Sequence, residues 1–96
     1  MTQTKTAFSI LLLADGAAKE VSPAGRYWTL EEMQQLVGGL IEIVPLADGR
    51  ILVINEEGKL HDLPVNVAAT NHFLVQRAAF STIVGDALLC ERGEIE

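Results

Sequence analysis

Positive charge is scarce in this chain. Lys5, Lys19, Arg26, Arg50, Lys59, Arg77 and Arg92 stand singly against thirteen acids, leaving a net charge of −6. With no basic cluster to neutralise phosphates, direct binding to nucleic acid or to an anionic membrane surface is not expected. Cysteine is nearly absent: Cys90 has no partner for an internal disulfide, which fits a reducing, cytoplasmic setting. Aromatic residues make up 5% of the chain, so the core must come from Leu, Ile, Val and Ala. No long apolar run exists. The longest, Ala7 to Ala14, has 8 residues, against the ~20 that a helix needs to cross a bilayer. Lys5 followed by AFSILLLA has the outline of a secretory leader, but Asp15 and the turn after it suit a strand and hairpin better.

Paired metal-ligand spacings are missing too. His61-Asp62, His72 and Cys90 are scattered, with no Cys-x-x-Cys and no His-x-x-x-His, so no metal or other cofactor is expected. No base stands at a recognisable spacing from Cys90 or Ser81, and a thiol following two leucines in a strand is a poor nucleophile.

What is present is a globular composition, 49% apolar and 21% charged over 96 residues. A chain of this size buries roughly 60–65% of its unfolded surface, enough for one domain, residues 1–96, with a thin margin. The stretch Tyr27–Asn66 organises it. Thr29 is a good N-cap and Glu32 completes a capping box; Trp28 and Met33 have the spacing of a hydrophobic staple. Leu30, Met33, Leu36 and Val37 form one apolar stripe, and Gly38-Gly39 supply a left-handed stop. Asp48-Gly49 predicts a two-residue turn between strands Leu40–Leu46 and Arg50–Asn55, with Val44 opposite Val53 and Ile43 opposite Ile54. Both faces of that hairpin are apolar, which predicts a central place in the sheet, although Pro45 conflicts with it.

The flanks read as cover for this unit. Met1–Thr6 is polar and frayed, Ala7–Ala14 is a strand, Asp15-Gly16 a turn, and Ala17–Ser22 a charged edge strand. Lys59–Leu63 reads as a short strand after the turn at Glu57-Gly58. Asn66 caps a second helix, Val67–Ala79, whose buried stripe is Val67, Phe73, Leu74 and Ala78. Ile83–Glu91 is a last strand with a bulge at Gly85. The tetrapeptide LADG occurs at Leu13–Gly16 and at Leu46–Gly49, explained more simply by shared turn chemistry than by duplication. The expected fold is α+β: a mostly antiparallel sheet of four to six strands with two helices packed on one face, in the order β-β-α-β-β-(β)-α-β. The expected core is Leu12, Met33, Leu36, Ile43, Val44, Val53, Ile54, Phe73, Val84 and Leu88.

Four ordered motifs carry a resemblance: Gln-x-x-Val-Gly-Gly in LEEMQQLVGGLIEIVPL, Asn-Glu-x-Gly-Lys-Leu in INEEGKL, Pro-x-Asn-x-x-Ala-Thr in LPVNVAAT, and Gly-Asp in IVGDALLC. Together they span Leu30 to Cys90 and resemble the family of domain of unknown function 3846. The resemblance implies a small protein of bacteria, their phages or plasmids, without an assigned activity. It does not reach the first 25 residues.

Glu42, on an apolar strand, is the carboxylate best placed for a site, while Glu56-Glu57 reads as a solvated turn and Asp86 as a further acid. Asn66 and Thr70 lie on one face at the start of the second helix and can line a polar groove with it. Gly38-Gly39 follow a helix rather than precede one, the wrong dipole end for phosphate. The leading expectation is a small cytoplasmic accessory protein acting by protein–protein contact, with Trp28 and Tyr27 as exposed anchors and a homodimer left open. Its rivals are an enzyme or ligand-binding domain with a site at Glu42, Asn66 and Thr70, and an acidic inhibitor that mimics nucleic acid. The balance leans against catalysis.

Overall fold

The computed structural model describes residues 9–77 and 82–95, apart from the side chains of 73–77. Strands β1 (Ser9–Leu12) and β2 (Ala18–Val21) precede helix α1 (Leu30–Val37). Strands β3 (Ile41–Pro45) and β4 (Arg50–Asn55) follow, then helix α2 (Val67–Arg77), strand β5 (Ala87–Glu91) and a short 3-10 turn, Arg92–Glu94. The strands form one antiparallel sheet in the order β2-β1-β5-β4-β3. This is the expected α+β class, with its element order.

The two LADG segments fold alike, and differently from expectation. In each, the leucine N–H bonds the carbonyl four residues on (Leu13 to Ala17, Leu46 to Arg50, both 2.8 Å). Only the glycine takes a positive φ, +100° at Gly16 and +93° at Gly49. That is a three-residue loop, a type I turn closed by a glycine bulge, rather than a two-residue turn. The Asp15 and Asp48 carboxylates accept the N–H two residues later and hold the loop open at that length. The extra residue shifts the register by one, so Ile43 faces Val53 and Val44 faces Leu52.

β3 is an outermost strand rather than a central one, and this removes the difficulty with Pro45. The bonds flanking the ladder, Leu46 N to Arg50 O and Glu56 N to Leu40 O, fix which residues exchange hydrogen bonds with β4. Glu42 and Val44 do; Ile41, Ile43 and Pro45 direct their backbone away from it. Pro45 therefore costs the ladder no donor.

Side chains alternate across β4 and β5 between two clusters. Ile51, Val53, Leu88 and Cys90 pack with Trp28, Met33 and Val37, on the face that α1 covers. Leu52, Ala87 and Leu89 pack with Leu12, Leu46, Ile83 and Ala69, on the face that α2 covers. The helices thus lie on opposite faces, not on one, because strands apolar on both sides need cover on both. Each fully buried side chain among Ile51, Leu52, Val53 and Leu88 contributes about 1.5–3 kcal/mol.

The start of α1 matches the sequence. Thr29 Oγ1 accepts the Glu32 N–H, and Glu32 Oε1 accepts the Thr29 N–H. Bonds from the Thr29 and Ala24 backbone amides, together with the Thr29 hydroxyl, hold the Glu32 carboxyl below its ordinary pKa. Leu30, however, is exposed, and the stripe reduces to Met33 and Val37 with Leu36 half-buried.

Lys59–Leu63 is not a strand. Residues 56–62 turn repeatedly, with His61 N on Glu57 O and Leu63 N on Gly58 O, and Asp62 sits at φ +54°. β5 likewise begins at Ala87 rather than Ile83. Gly85, at φ +78°, turns the chain so that its N–H reaches Pro64 O at 2.7 Å. Phe73 and Leu74 as core side chains, Ala78, Ser81 and the frayed Met1–Thr6 lie outside the described residues. Among the described residues, no helix is long and apolar enough to cross a membrane.

Candidate functional site

The α2 face of the sheet carries a cleft of about 480 Å³ beside β3 and β4. Its floor is Val44 and Ile54. One wall is the turn through Glu56, Glu57, Lys59 and Leu60, and the other is Thr82, Ile83 and Val84. Glu42 is exposed at the rim, and it shares the cleft with two more carboxylates and one ammonium. Glu57 also meets His61, with Oε1 and Nε2 3.4 Å apart. Leu60 leaves 75% of its surface in solvent.

Asn66 and Thr70 do not line this cleft. Asn66 is fully buried, and both polar atoms of its side chain are bonded inside the fold. Nδ2 donates to Leu12 O and to Gly85 O, both at 2.8 Å, and Oδ1 accepts the Ala69 N–H as helix cap. Thr70 Oγ1 accepts the Ile83 N–H at 2.8 Å and donates to Ile83 O. The two residues moor α2 to the end of β1 and to the segment Ile83–Gly85. Their link to the cleft is therefore mechanical: they hold its Ile83–Val84 wall.

Trp28 lies elsewhere and is no exposed anchor. Its ring is 3% exposed between the sheet and α1. The indole Nε1 donates to Ser9 Oγ at 2.9 Å, Ser9 Oγ donates to Glu94 Oε2, and the Trp28 N–H bonds Glu94 O. The start of β1, the segment before α1 and the 3-10 turn are thereby stitched together, which leaves Tyr27 as the partly exposed aromatic of the pair. The Cys90 thiol, buried and then opposed by Glu94 and Glu91, is pushed up to about 12. A thiol held protonated at neutral pH does not attack.

A family model described as "Domain of unknown function (DUF3846)" matches residues 8–96. The chain belongs to that family. No curated protein and no solved structure matches it. In this member of the domain of unknown function 3846 family, the four motifs fall at junctions of the fold. Gln34–Gly39 ends α1 with Gly38 in the left-handed cap. Asn55 leaves β4 and bonds both Val37 O and the Glu57 N–H. Asn66 and Thr70 form the mooring just described, and Asp86 accepts the Ala14 N–H at 2.9 Å. The second motif also builds one wall of the cleft.

Sequence reasoning did not reach Lys59, Leu60, Ile83 and Val84 as cleft residues, nor Ile41 and Ile43 as a backbone edge. Ile43, expected in the core, is 37% exposed. The signal that could have found the edge was Pro45, which a central strand does not accommodate.

Proposed function

We propose that the protein is a small binding protein that acts by protein–protein contact through the open edge of β3. The observation that supports this is the pair Ile41 and Ile43. Their N–H and C=O groups point away from β4, and among the described residues no further strand pairs with Ile41 or Ile43 on that side. An unpaired edge is a template for strand addition. The opposite edge, β2, carries Lys19 and Glu20 on a strand of four residues, a guarded design. β3 carries one charge, Glu42, between half-buried Ile41 and exposed Ile43. The family resemblance adds a setting, in a phage, plasmid or other mobile-element genome.

Ile43→Pro tests the reading. It removes an N–H that β4 does not use, so the ladder stays intact. With far-UV circular dichroism unchanged, the variant should lose the proteins that the parent chain captures from its host lysate. Identical capture by both would refute an edge-strand function.

A second reading has an observation of its own. The cleft at Glu42 has the volume and mixed lining of a small-ligand site. In it Glu42 would contact the ligand, while Asn66 and Thr70 would position the Ile83–Val84 wall. Ligand-dependent thermal stabilisation that Glu42→Gln abolishes would favour it.

A further inference from the structure

We infer that the occupant of the β3 edge is an extended peptide segment of another protein, with basic side chains at alternate positions. This rests on the edge-strand reading and adds the chemistry of the partner. A strand added to β3 alternates its side chains between the two faces of the sheet. On one face they lie beside Glu42 and Val44, at the mouth of the cleft, where among the described residues Glu56 and Glu57 add two carboxylates and Lys59 one ammonium. On the other face they lie beside Ile41 and Ile43. The matching segment is cationic on the first face and apolar on the second.

A second copy of this chain fits the edge badly. Antiparallel self-pairing that bonds Ile41 to the partner copy's Ile43 sets Glu42 directly against its own equivalent, and like charges opposite one another destabilise. Self-pairing centred on Ile43 puts Ile41 against Pro45, which has no N–H to give. Both copies also carry −6. A basic segment meets none of these obstacles, and the negative field draws it in.

The test uses the full chain and three acetylated seven-residue peptides. They carry lysine, glutamine or glutamate at the second, fourth and sixth positions, with valine and threonine between, and binding is measured by fluorescence anisotropy. The lysine peptide should bind, more weakly as salt rises, and the glutamate peptide should not. Glu42→Gln should weaken the lysine peptide about fivefold, the scale of one ion pair near 4 Å in water, and Ile43→Pro should abolish binding. A control independent of folding is the lysine peptide N-methylated at alternate residues. One methylation pattern should lose binding and the other keep it. Equal binding of the lysine and glutamine peptides, lost in Ile43→Pro, would overturn the basic chemistry and leave the edge reading standing. A concentration-dependent dimer that Ile43→Pro splits would overturn it in favour of a second copy. Lysine-peptide binding untouched by Ile43→Pro and by both methylation patterns would overturn this inference and the edge reading together. Binding of none of the three peptides would overturn the inference alone.

Discussion

Asn66→Asp separates two roles that one side chain performs. Asp caps a helix as well as Asn does, so if capping were all that Asn66 contributed, the substitution would be nearly silent. The structure gives Asn66 a second task. Its Nδ2 donates to Leu12 O and Gly85 O, and the residue has no exposed surface. The introduced carboxylate turns two donated bonds into acceptor facing acceptor in a dry site. Two lost bonds at about 1–1.5 kcal/mol each, plus the cost of an unsatisfied buried group, put the loss at about 3 kcal/mol at the least. For a domain of this size that lowers the melting temperature by roughly 12–24 °C. Burial raises the pKa of the introduced carboxyl in the native state above its unfolded value. The native state then binds the extra proton, so the variant regains stability as pH falls through that raised pKa. Urea titrations at pH 7 and pH 5 measure both effects. A variant within about 0.5 kcal/mol of the parent at pH 7, a change typical of an inconsequential surface site, would refute the two-donor account.

Three further predictions follow from single sites. Gly85→Ala should cost about 2–3 kcal/mol, since it strains a left-handed backbone and sets a Cβ 2.8 Å from Leu63 Cδ1; Gly16→Ala, at φ +100° with open space around it, should cost only the backbone part. Thermal melts of the two variants test that difference. Glu32→Gln should narrow the gap to the parent as pH falls. The Glu32 carboxyl has a depressed folded pKa, so its contribution is present above the unfolded value of 4.5 and is lost as pH drops through the folded one; a gap that does not change with pH would contradict this. Cys90, with its thiol pushed up to about 12, should resist a disulfide reagent at pH 8 in the native chain and react at once in urea; rapid native labelling would contradict its burial.

Local chemistry was legible in the sequence, and long-range chemistry was not. The capping box at Thr29–Glu32, the stop at Gly38 and the cap at Asn66 each depend on residues within four positions, and all three form. The hairpin register missed by one because Asp-Gly serves two turn types, and the choice between them lies in the backbone of Ala14 and Ala47. The doubly apolar β4 signalled burial on both faces, but not that α1 and α2 would divide the two faces. Asn66 reads as a cap because its cap partner is near. Its two donor bonds reach Leu12 and Gly85, far away in the chain, and no spacing announces them. The cleft is invisible for the same reason: β3, the turn after Asn55 and the segment before β5 meet only in the folded sheet.

Amide hydrogen exchange along β3 tests the central claim most directly. In the free chain, Glu42 and Val44 should be protected by β4, while Ile41 and Ile43 exchange fast. On addition of the lysine peptide to saturation, Ile41 and Ile43 should slow by at least about tenfold, as groups newly paired in a strand ladder do. Protection of Ile41 and Ile43 without any partner, or their unchanged exchange at saturation, would contradict the account.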